Sequence, residues 1–305
     1  MTETAFGALL ILLAGALARE LGLVRRRQGA VLVNIVIYLA LPPLVFLIMV
    51  RAELHAALLL VPVAAYLIHG ILLALSWAAT RLWGCEPRRA GALIVATAVG
   101  NTGFFGLPLI AASGDGFSLP SAVMYDALAT AVITWTSTVA IAGYYGRSPG
   151  GRRVSLRDVG RALLLPPTIA LALGLAVNLA GVHELPRLIE QPLDLMAGAV
   201  LPLTMLYGGL MLDVRGLSRL WREMAFVVVM RLGIATLVGL AVAELLQLDG
   251  AVRATVVIMA AMPTAMMSLV LGASAGLRSD ILAGAVALTT LLCTITLPLW
   301  RAVLL

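Results

Sequence analysis

The stretch VGNTGFFGLPLIAAS (99–113) interrupts one of the long apolar segments of this chain. It places three glycines, an asparagine and a proline within ten residues. A regular helix does not continue through such a composition, because proline lacks a backbone donor and each glycine costs about 1 kcal/mol of helix propensity. In a bilayer, an interrupted backbone is tolerated only where it is buried in protein or lines a wet cavity. The stretch therefore predicts a membrane helix that is broken at a functional site.

A second apolar segment, MAAMPTAMMSLVLGASAG (259–276), carries a comparable break at Pro263. Interrupted helices at corresponding places in two halves indicate a transport site, and the N-termini of half-helices suit a carboxylate. Asn101 favours this interpretation, since its amide can cap a half-helix and hydrogen-bond a substrate. The alternative is a benign proline kink among packing glycines.

Composition places the whole chain in a membrane. Of the 305 residues, 62% are hydrophobic and 12% are charged, whereas soluble domains carry about 25% charged residues. The apolar runs are long and continuous, which indicates helices rather than a barrel. The predicted spans, which leave no room for a soluble domain, are 4–23, 29–50, 57–83, 90–112, 119–146, 162–182, 190–212, 221–246, 252–275 and 281–304.

The basic residues predict the orientation of the chain in the membrane. The net charge is +6, and apart from the histidines every basic residue is arginine. These arginines lie in short loops, so they offer no basic face to nucleic acid. Most follow odd-numbered spans, which predicts a multi-pass inner-membrane protein with both termini on the non-cytoplasmic side. The opposite side holds only Arg51, Arg187, Arg253 and Arg301.

The chain reads as two five-helix halves. A basic cytoplasmic linker at 147–161 separates the first repeat, 1–146, from the second, 162–305. Each repeat begins with two glycines that lie seven residues apart, and a proline follows the second glycine at the same distance in both repeats. The matched positions are Gly15 with Gly174, Gly22 with Gly181, and Pro43 with Pro202. Consecutive five-helix repeats have opposite membrane topology, which is the inverted-repeat plan of many secondary transporters.

Several motifs together resemble the auxin efflux carrier family. They are YLALPPLVF (38–46), GNTGFFGLPL (100–109), LLLPPTIALALGLAVNLAG (163–181), LPLTMLYGGLML (201–212) and AAMPTAMMSLVLGASAG (260–276). The resemblance implies ten helices in a five-plus-five inverted repeat, with the broken fourth and ninth helices crossing at their prolines in mid-membrane. By this resemblance, Asn101 and Pro108 mark one half of the crossover and Pro263 the other. The resemblance also implies a homodimer.

The family includes plant auxin exporters and bacterial carriers of malonate or malate. This chain lacks the long central hydrophilic loop of the plant members, and no asparagine adjoins Pro263. We therefore expect a bacterial member that carries a small carboxylate such as malonate or malate, in preference to an auxin-like acid. The predicted substrate-binding residues are Asn101, Thr102, Gly103, Pro108, Pro263, Thr264 and Ser268.

Two ionisable residues within predicted spans are functional candidates, because intramembrane charges are costly. Asp126 is expected to bind a coupling sodium ion or proton, or to pair with an arginine; the alternative is an interfacial aspartate facing water. Arg231 is a candidate counter-charge for an anionic substrate or for Asp126; the alternative is that it snorkels to the headgroups.

The competing functions differ in what they require. An enzyme needs a nucleophile–base pair or a metal constellation, but the three histidines lie far apart and no HExxH or GxSxG occurs. We therefore predict no enzyme, no metal and no cofactor beyond a coupling Na⁺ or H⁺. A channel, or a sodium- or proton-coupled exchanger or symporter of the bile-acid type, remains the alternative to a secondary transporter that works by alternating access. The predicted partners are a small organic anion and the lipid bilayer.

Overall fold

The computed structural model describes residues 2–24, 28–114, 116–146, 164–212 and 217–304. Within these ranges the chain is helical, and the only strand-like feature is an isolated antiparallel bridge between Gly100 and Thr264. The helices are α1 (Thr2–Glu20), α2 (29–50), α3 (Ala57–Leu82), α4 (Pro87–Ala98), α5 (Thr102–Ala111), α6 (Leu119–Tyr145), α7 (Pro166–Leu179), α8 (Arg187–Met211), α9 (Leu217–Leu245), α10 (Gly250–Ala260), α11 (Met266–Ser274) and α12 (Ser279–Leu304).

The described helices coincide with the predicted apolar segments. Six of them are long and apolar enough to cross a membrane, namely α2 from Val31 onward, α3, α6, α8, α9 and α12 up to Val303. Helices α5, α7 and α10 are shorter and apolar. The fourth and ninth predicted segments each consist of two helices, α4 with α5 and α10 with α11, so both predicted interruptions are present. The predicted linker at 147–161 lies outside the described residues.

Helices α1 and α7 end in the same way. Gly22 and Gly181 follow the two helices with φ of 73° and 81°, a left-handed conformation that glycine adopts without steric cost. The N–H of Leu23 then donates to the carbonyl of Ala18 at 2.9 Å, and Val182 makes the equivalent bond after α7 at 3.2 Å. These bonds satisfy carbonyls that the helix end leaves free. The matched glycines of the sequence thus occupy equivalent helix ends.

The matched glycines at the earlier position mark two close helix contacts. Helix α1 packs against residues 200–211 of α8, and α7 packs against residues 41–50 of α2. A Cβ added to Gly174 would lie 2.7 Å from the carbonyl oxygen of Phe46, and one added to Gly15 would collide with the carbonyl oxygen of Leu206. The first helix of each predicted repeat therefore contacts the second helix of the other repeat, at a distance that only glycine permits.

A buried amide fixes the second of these contacts. The side chain of Asn178 in α7 is 5% exposed. Its Nδ2 donates to the carbonyl oxygens of Val50 and Ala52, each at 2.8 Å. These carbonyls lie at the C-terminal end of α2, where a helix has no backbone donors left. Helix α7 thus satisfies the end of the helix against which it packs.

We expect Gly15→Val and Gly174→Val each to lower the melting temperature of the detergent-solubilised protein, because the added side chain forces two backbones apart. Overpacking of this kind costs about 1–3 kcal/mol. Gly7→Val is the matched control in α1, since a Cβ on Gly7 meets no atom within 4 Å. Equal melting temperatures for Gly15→Val and Gly7→Val would contradict the close contact between α1 and α8.

Candidate functional site

The two interrupted helices meet through their backbones. The N–H of Asn101 donates to the carbonyl of Pro263 at 2.7 Å, and the N–H of Ala265 donates to the carbonyl of Val99 at 3.0 Å. These two bonds form a short antiparallel pair centred on Gly100. Each break therefore supplies hydrogen-bond partners to the other, which is what allows irregular backbone to exist deep inside an apolar protein.

The sequence of α5 explains why its first turn is irregular. Residues Thr102–Gly106 form a π-helical turn, in which the N–H groups of Phe105 and Gly106 both donate to the carbonyl of Asn101, at 3.3 and 3.0 Å. Pro108 then starts the regular part of the helix, where a missing N–H is tolerated. A Cβ on Gly106 would lie 2.9 Å from Met259 Sδ. The glycine thus brings α5 close to α10.

Arg231 connects the C-terminal ends of α4 and α10. It lies in a π-helical turn of α9 and is 2% exposed. Its guanidinium donates to the carbonyl oxygens of Met262 at 2.7 Å, Ala260 at 2.5 Å and Thr97 at 3.2 Å. Two helix C-termini carry partial negative charge at this point, so a cation is favoured there. The snorkelling alternative for Arg231 is therefore wrong, because the side chain is enclosed by protein.

A glycine makes room for this guanidinium. A Cβ on Gly100 would lie 2.7 Å from Nη2 of Arg231. Arg231, Gly100 and Thr102 line a small cavity of about 20 Å³, which has room for one water molecule. His69 lines the same cavity and bonds to the carbonyl of Ala98 through Nδ1, at 3.0 Å. His69 therefore has the role of a hydrogen-bonded packing residue.

A larger cavity of about 110 Å³ adjoins the break. Three helices begin at it, because its lining includes residues 101–103 at the start of α5, Ala265 to Met267 at the start of α11, and Leu165, Pro167 and Thr168 at the start of α7. Helix N-termini carry partial positive charge, and those of α5 and α11 also have free N–H groups, whereas α7 begins with two prolines and its next N–H, of Thr168, bonds to Leu165. Its polar side chains belong to Asn101, Thr102, Asp126, Thr130, Thr134 and Thr168.

Asn101 has an amide without a protein partner. The residue is 2% exposed and precedes the first turn of α5, yet its side chain makes no capping bond. Its Nδ2 is buried and has no hydrogen-bond acceptor. The expected capping role of this amide is therefore not seen. A buried unsatisfied donor costs about 1–3 kcal/mol, so this group is suited to a ligand that supplies an acceptor.

Asp126 faces the same cavity from a π-helical turn of α6. Its Oδ1 accepts a hydrogen bond from Thr102 Oγ1 at 2.6 Å. A Cβ on Gly103 would lie 2.8 Å from Oδ2, so this glycine gives the carboxylate access to the start of α5. Among the ion pairs of the described residues, none includes Asp126. The carboxylate is thus available to a small cation or a proton.

The other predicted site residues lie beside the cavity rather than in its lining. Thr264 donates its hydroxyl to the carbonyl of Ala96 at 2.8 Å, and Ser268 donates to that of Val95 at 3.4 Å. Pro263 contributes its carbonyl to the backbone pair, and Pro108 is buried in α5. Their polar groups are directed to the backbone because α4 ends beside them.

Sequence reasoning did not identify the threonines of α6 and α7 that line the cavity. Thr130 and Thr134 belong to the run ATAVITWTST (129–138), whose repeated hydroxyls on an apolar helix were the available signal. Thr168 follows the two prolines that start α7, and that position gave no such signal. Within the described part of the chain, no group of three or more His, Cys, Asp or Glu side chains could hold a metal ion.

Comparisons with known proteins relate the sequence of this chain to membrane transporters. A family model described as membrane transport protein matches residues 1–148 and 151–301. An uncharacterized transporter of Methanothermobacter thermautotrophicus is 32% identical over 309 residues, covering 99% of this chain and 98% of that protein. An uncharacterized transporter of Methanocaldococcus jannaschii is 27% identical over 309 residues, covering 97% of this chain and 96% of that protein.

We expect Arg231→Met to lower the melting temperature strongly, because three buried carbonyls lose their donor at a cost of about 1–3 kcal/mol each. Arg231→Lys should be intermediate, since an ammonium keeps the charge but cannot reproduce the planar set of donors. Arg222→Met is the control, because Arg222 is exposed and stacks on Trp221 at the surface. A melting temperature for Arg231→Met equal to that of the control would exclude the connecting role.

Proposed function

The chain belongs to the membrane transport protein family, which is the auxin efflux carrier family that its motifs resemble, and from that premise we propose that it is a secondary transporter of a small organic anion. The observation that carries this proposal is the buried, unpartnered amide of Asn101 at the start of a broken helix. An anion supplies the acceptor that this amide lacks.

The charge distribution around the cavity supports an anionic substrate. The N-termini of α5, α7 and α11 all begin at the cavity, and each is equivalent to roughly half a positive charge. The C-terminal ends of α4 and α10, which carry partial negative charge, face Arg231 instead. The two kinds of helix end are therefore segregated, and a carboxylate in the cavity meets N–H groups rather than carbonyls.

For the fold, we propose ten membrane helices in a five-plus-five inverted repeat, with the fourth and ninth crossing at their breaks. The reciprocal contacts of Gly15 with Leu206 and of Gly174 with Phe46 support this plan, since exchanging the repeats exchanges the contacts. The antiparallel pairing centred on Gly100 and Thr264 supports a crossing. Alternating access would then move the paired breaks against the remaining helices. We retain an inner-membrane location with both termini outside, and a homodimer, as parts of this proposal.

Asn101→Ala should abolish binding of small carboxylates without lowering the melting temperature of the empty protein. The amide donor has no protein partner to lose, but it is the donor that the substrate needs. The measurement is a thermal-shift titration of the purified wild type and variant with malonate, malate and acetate. Because a ligand that binds only the folded state raises its melting temperature, a saturable shift is expected for the wild type alone.

The control for this titration is Asp249→Ala, at an exposed position at the start of α10 away from the cavity. Asp249→Ala should respond to carboxylates as the wild type does. A carboxylate shift that persists in Asn101→Ala would remove Asn101 from the site, and the absence of any carboxylate shift in the wild type would contradict an anionic substrate.

The size of the cavity predicts which acids bind. Its volume is about 110 Å³, whereas a cavity of about 150 Å³ holds a single benzene ring. Malonate and acetate should therefore stabilise the protein, and the two-ring acid indole-3-acetate should not. Trp135, Met266 and Met267 line the cavity, so we expect their side chains to exclude the second ring. Stabilisation by indole-3-acetate at the concentrations that suffice for malonate would contradict this size limit.

A further inference from the structure

The cavity that holds the free amide also holds a carboxylate. Asp126 and Asn101 line the same space of about 110 Å³, and Asp126 bonds to Thr102, the residue directly after Asn101. An organic anion bound to Asn101 would therefore lie within a few ångströms of a second negative charge. Inside a protein this repulsion is screened far less than in water. A second anion needs a compensating positive charge.

The surrounding groups supply too little positive charge for two anions. Three helix N-termini face the cavity, and at roughly half an elementary charge each they exceed one negative charge but do not reach two. Arg231 does not make up the difference, because its charge is offset by the partial negative charges at the C-terminal ends of α4 and α10, whose carbonyls it binds. The empty cavity with Asp126 ionised is therefore close to balance, whereas a bound monoanion such as acetate leaves it about half a charge too negative and a dianion such as malonate leaves it more negative still.

Building on the proposed function, we propose that Asp126 and Thr102 bind one monovalent cation, Na⁺ or H⁺, together with each anion. The site has oxygen ligands of the kind that hard cations prefer, since the Asp126 carboxylate adjoins the hydroxyl of Thr102 and the cavity adds Thr130 and Thr134. The cation cancels the charge of Asp126 and so permits the anion to bind at Asn101. Transport of the anion is then coupled to the cation by the electrostatics of a single cavity.

Thr102 links the two ligands structurally as well. Its hydroxyl donates to Asp126, while its main chain continues directly from Asn101 into the first turn of α5. A cation that binds the Asp126 carboxylate would alter the hydrogen bond that this carboxylate accepts from Thr102. The position of the amide donor therefore depends on whether Asp126 is neutralised.

The experiment compares wild type with Asp126→Asn, which removes the charge and nearly keeps the shape. Binding of malonate and of acetate is measured by calorimetry in sodium chloride and in choline chloride at equal ionic strength, each at neutral and mildly acidic pH. For the wild type, sodium or acid should tighten anion binding by roughly 5- to 150-fold, the usual range of coupling between two ligands. Asp126→Asn should bind the anion equally well in all four conditions.

The sodium and pH comparisons separate the two cations. Tightening by sodium at constant pH identifies Na⁺, and tightening by acid in choline chloride identifies H⁺. Other ionisable groups near Asp126 are the adjacent Tyr125, His69 and Arg231 of the small cavity, and Tyr66 of α3, whose hydroxyl donates to the carbonyl of Leu128 in α6. All of them remain in Asp126→Asn, so only a pH dependence that this variant loses is assigned to Asp126. Asp249→Asn, an exposed aspartate, is the control and should keep the wild-type dependence.

A second measurement tests the cation site without an anion. Sodium or acid should change the melting temperature of the wild type relative to Asp126→Asn, because a cation bound only to the folded state stabilises it. If carboxylates never bind but this difference is present, the anion proposal fails and the cation site stands. If anions bind through Asn101 with the same affinity in all four conditions, the coupling is overturned and the proposed function stands. If an acid binds only when it carries an amino group, the coupling is also overturned, because the ammonium group of the substrate itself would then neutralise Asp126.

Discussion

The antiparallel pairing of two broken backbones is the constraint on which the remaining structure depends. A helix interrupted inside an apolar protein exposes N–H and carbonyl groups that water cannot reach, and each costs free energy unless it finds a partner. Here the break around Gly100 and the break around Thr264 satisfy one another through two backbone bonds. Each break contributes one N–H and one carbonyl to these bonds, and both groups would be unsatisfied without the other break. The two interruptions therefore stabilise one another.

Arg231 completes this arrangement by separating the two polarities of the broken helices. Its guanidinium binds the carbonyls where α4 and α10 end, and the starts of α5 and α11 are left facing a cavity. A buried arginine needs partners for its donors, and the helix ends need a cation, so each satisfies a requirement of the other. Glycine at position 100 is part of the same arrangement, because any side chain there would occupy the space of Nη2. Because Arg231 of α9 binds the C-terminal ends of α4 and α10, the ends of the broken helices that face the larger cavity are the N-terminal ends of α5 and α11.

The sequence predicted the features that depend on local chemistry. The interruptions follow from the glycines and prolines of 99–113 and 259–276, and the membrane helices follow from uninterrupted apolar runs, so both were recognisable without a structure. Asn101, Thr102 and Asp126 were identified because polar groups in apolar segments are conspicuous, and Gly103 because it lies in the first break; all four line one cavity. The family prediction is confirmed by the match to membrane transport proteins, while its bacterial origin stays a prediction beside two archaeal relatives.

The features that depend on which helices are neighbours could not be predicted. Thr264 and Ser268 carry the right chemistry, but their hydroxyls are used by carbonyls of α4, a partner that no local pattern reveals. The role of Arg231 was missed similarly, since its three acceptors lie in two other segments of the chain. Thr168 lines the cavity only because α7 begins there.

The balance of charge in the cavity also bears on the energetics of transport. Moving one elementary charge through a membrane potential of 100 mV is worth about 2.3 kcal/mol. A cavity that carried an ionised Asp126 together with a monovalent anion would bring two negative charges through that field, and would hold them in a low-dielectric interior during the movement. Neutralising Asp126 with a cation leaves a single negative charge next to three helix N-termini, which is the charge that those termini can offset. On the proposed coupling, pairing the anion with a cation would therefore also lower the free-energy cost of moving the loaded cavity. The empty cavity, in which the helix N-termini offset the charge of Asp126, would then return without a ligand.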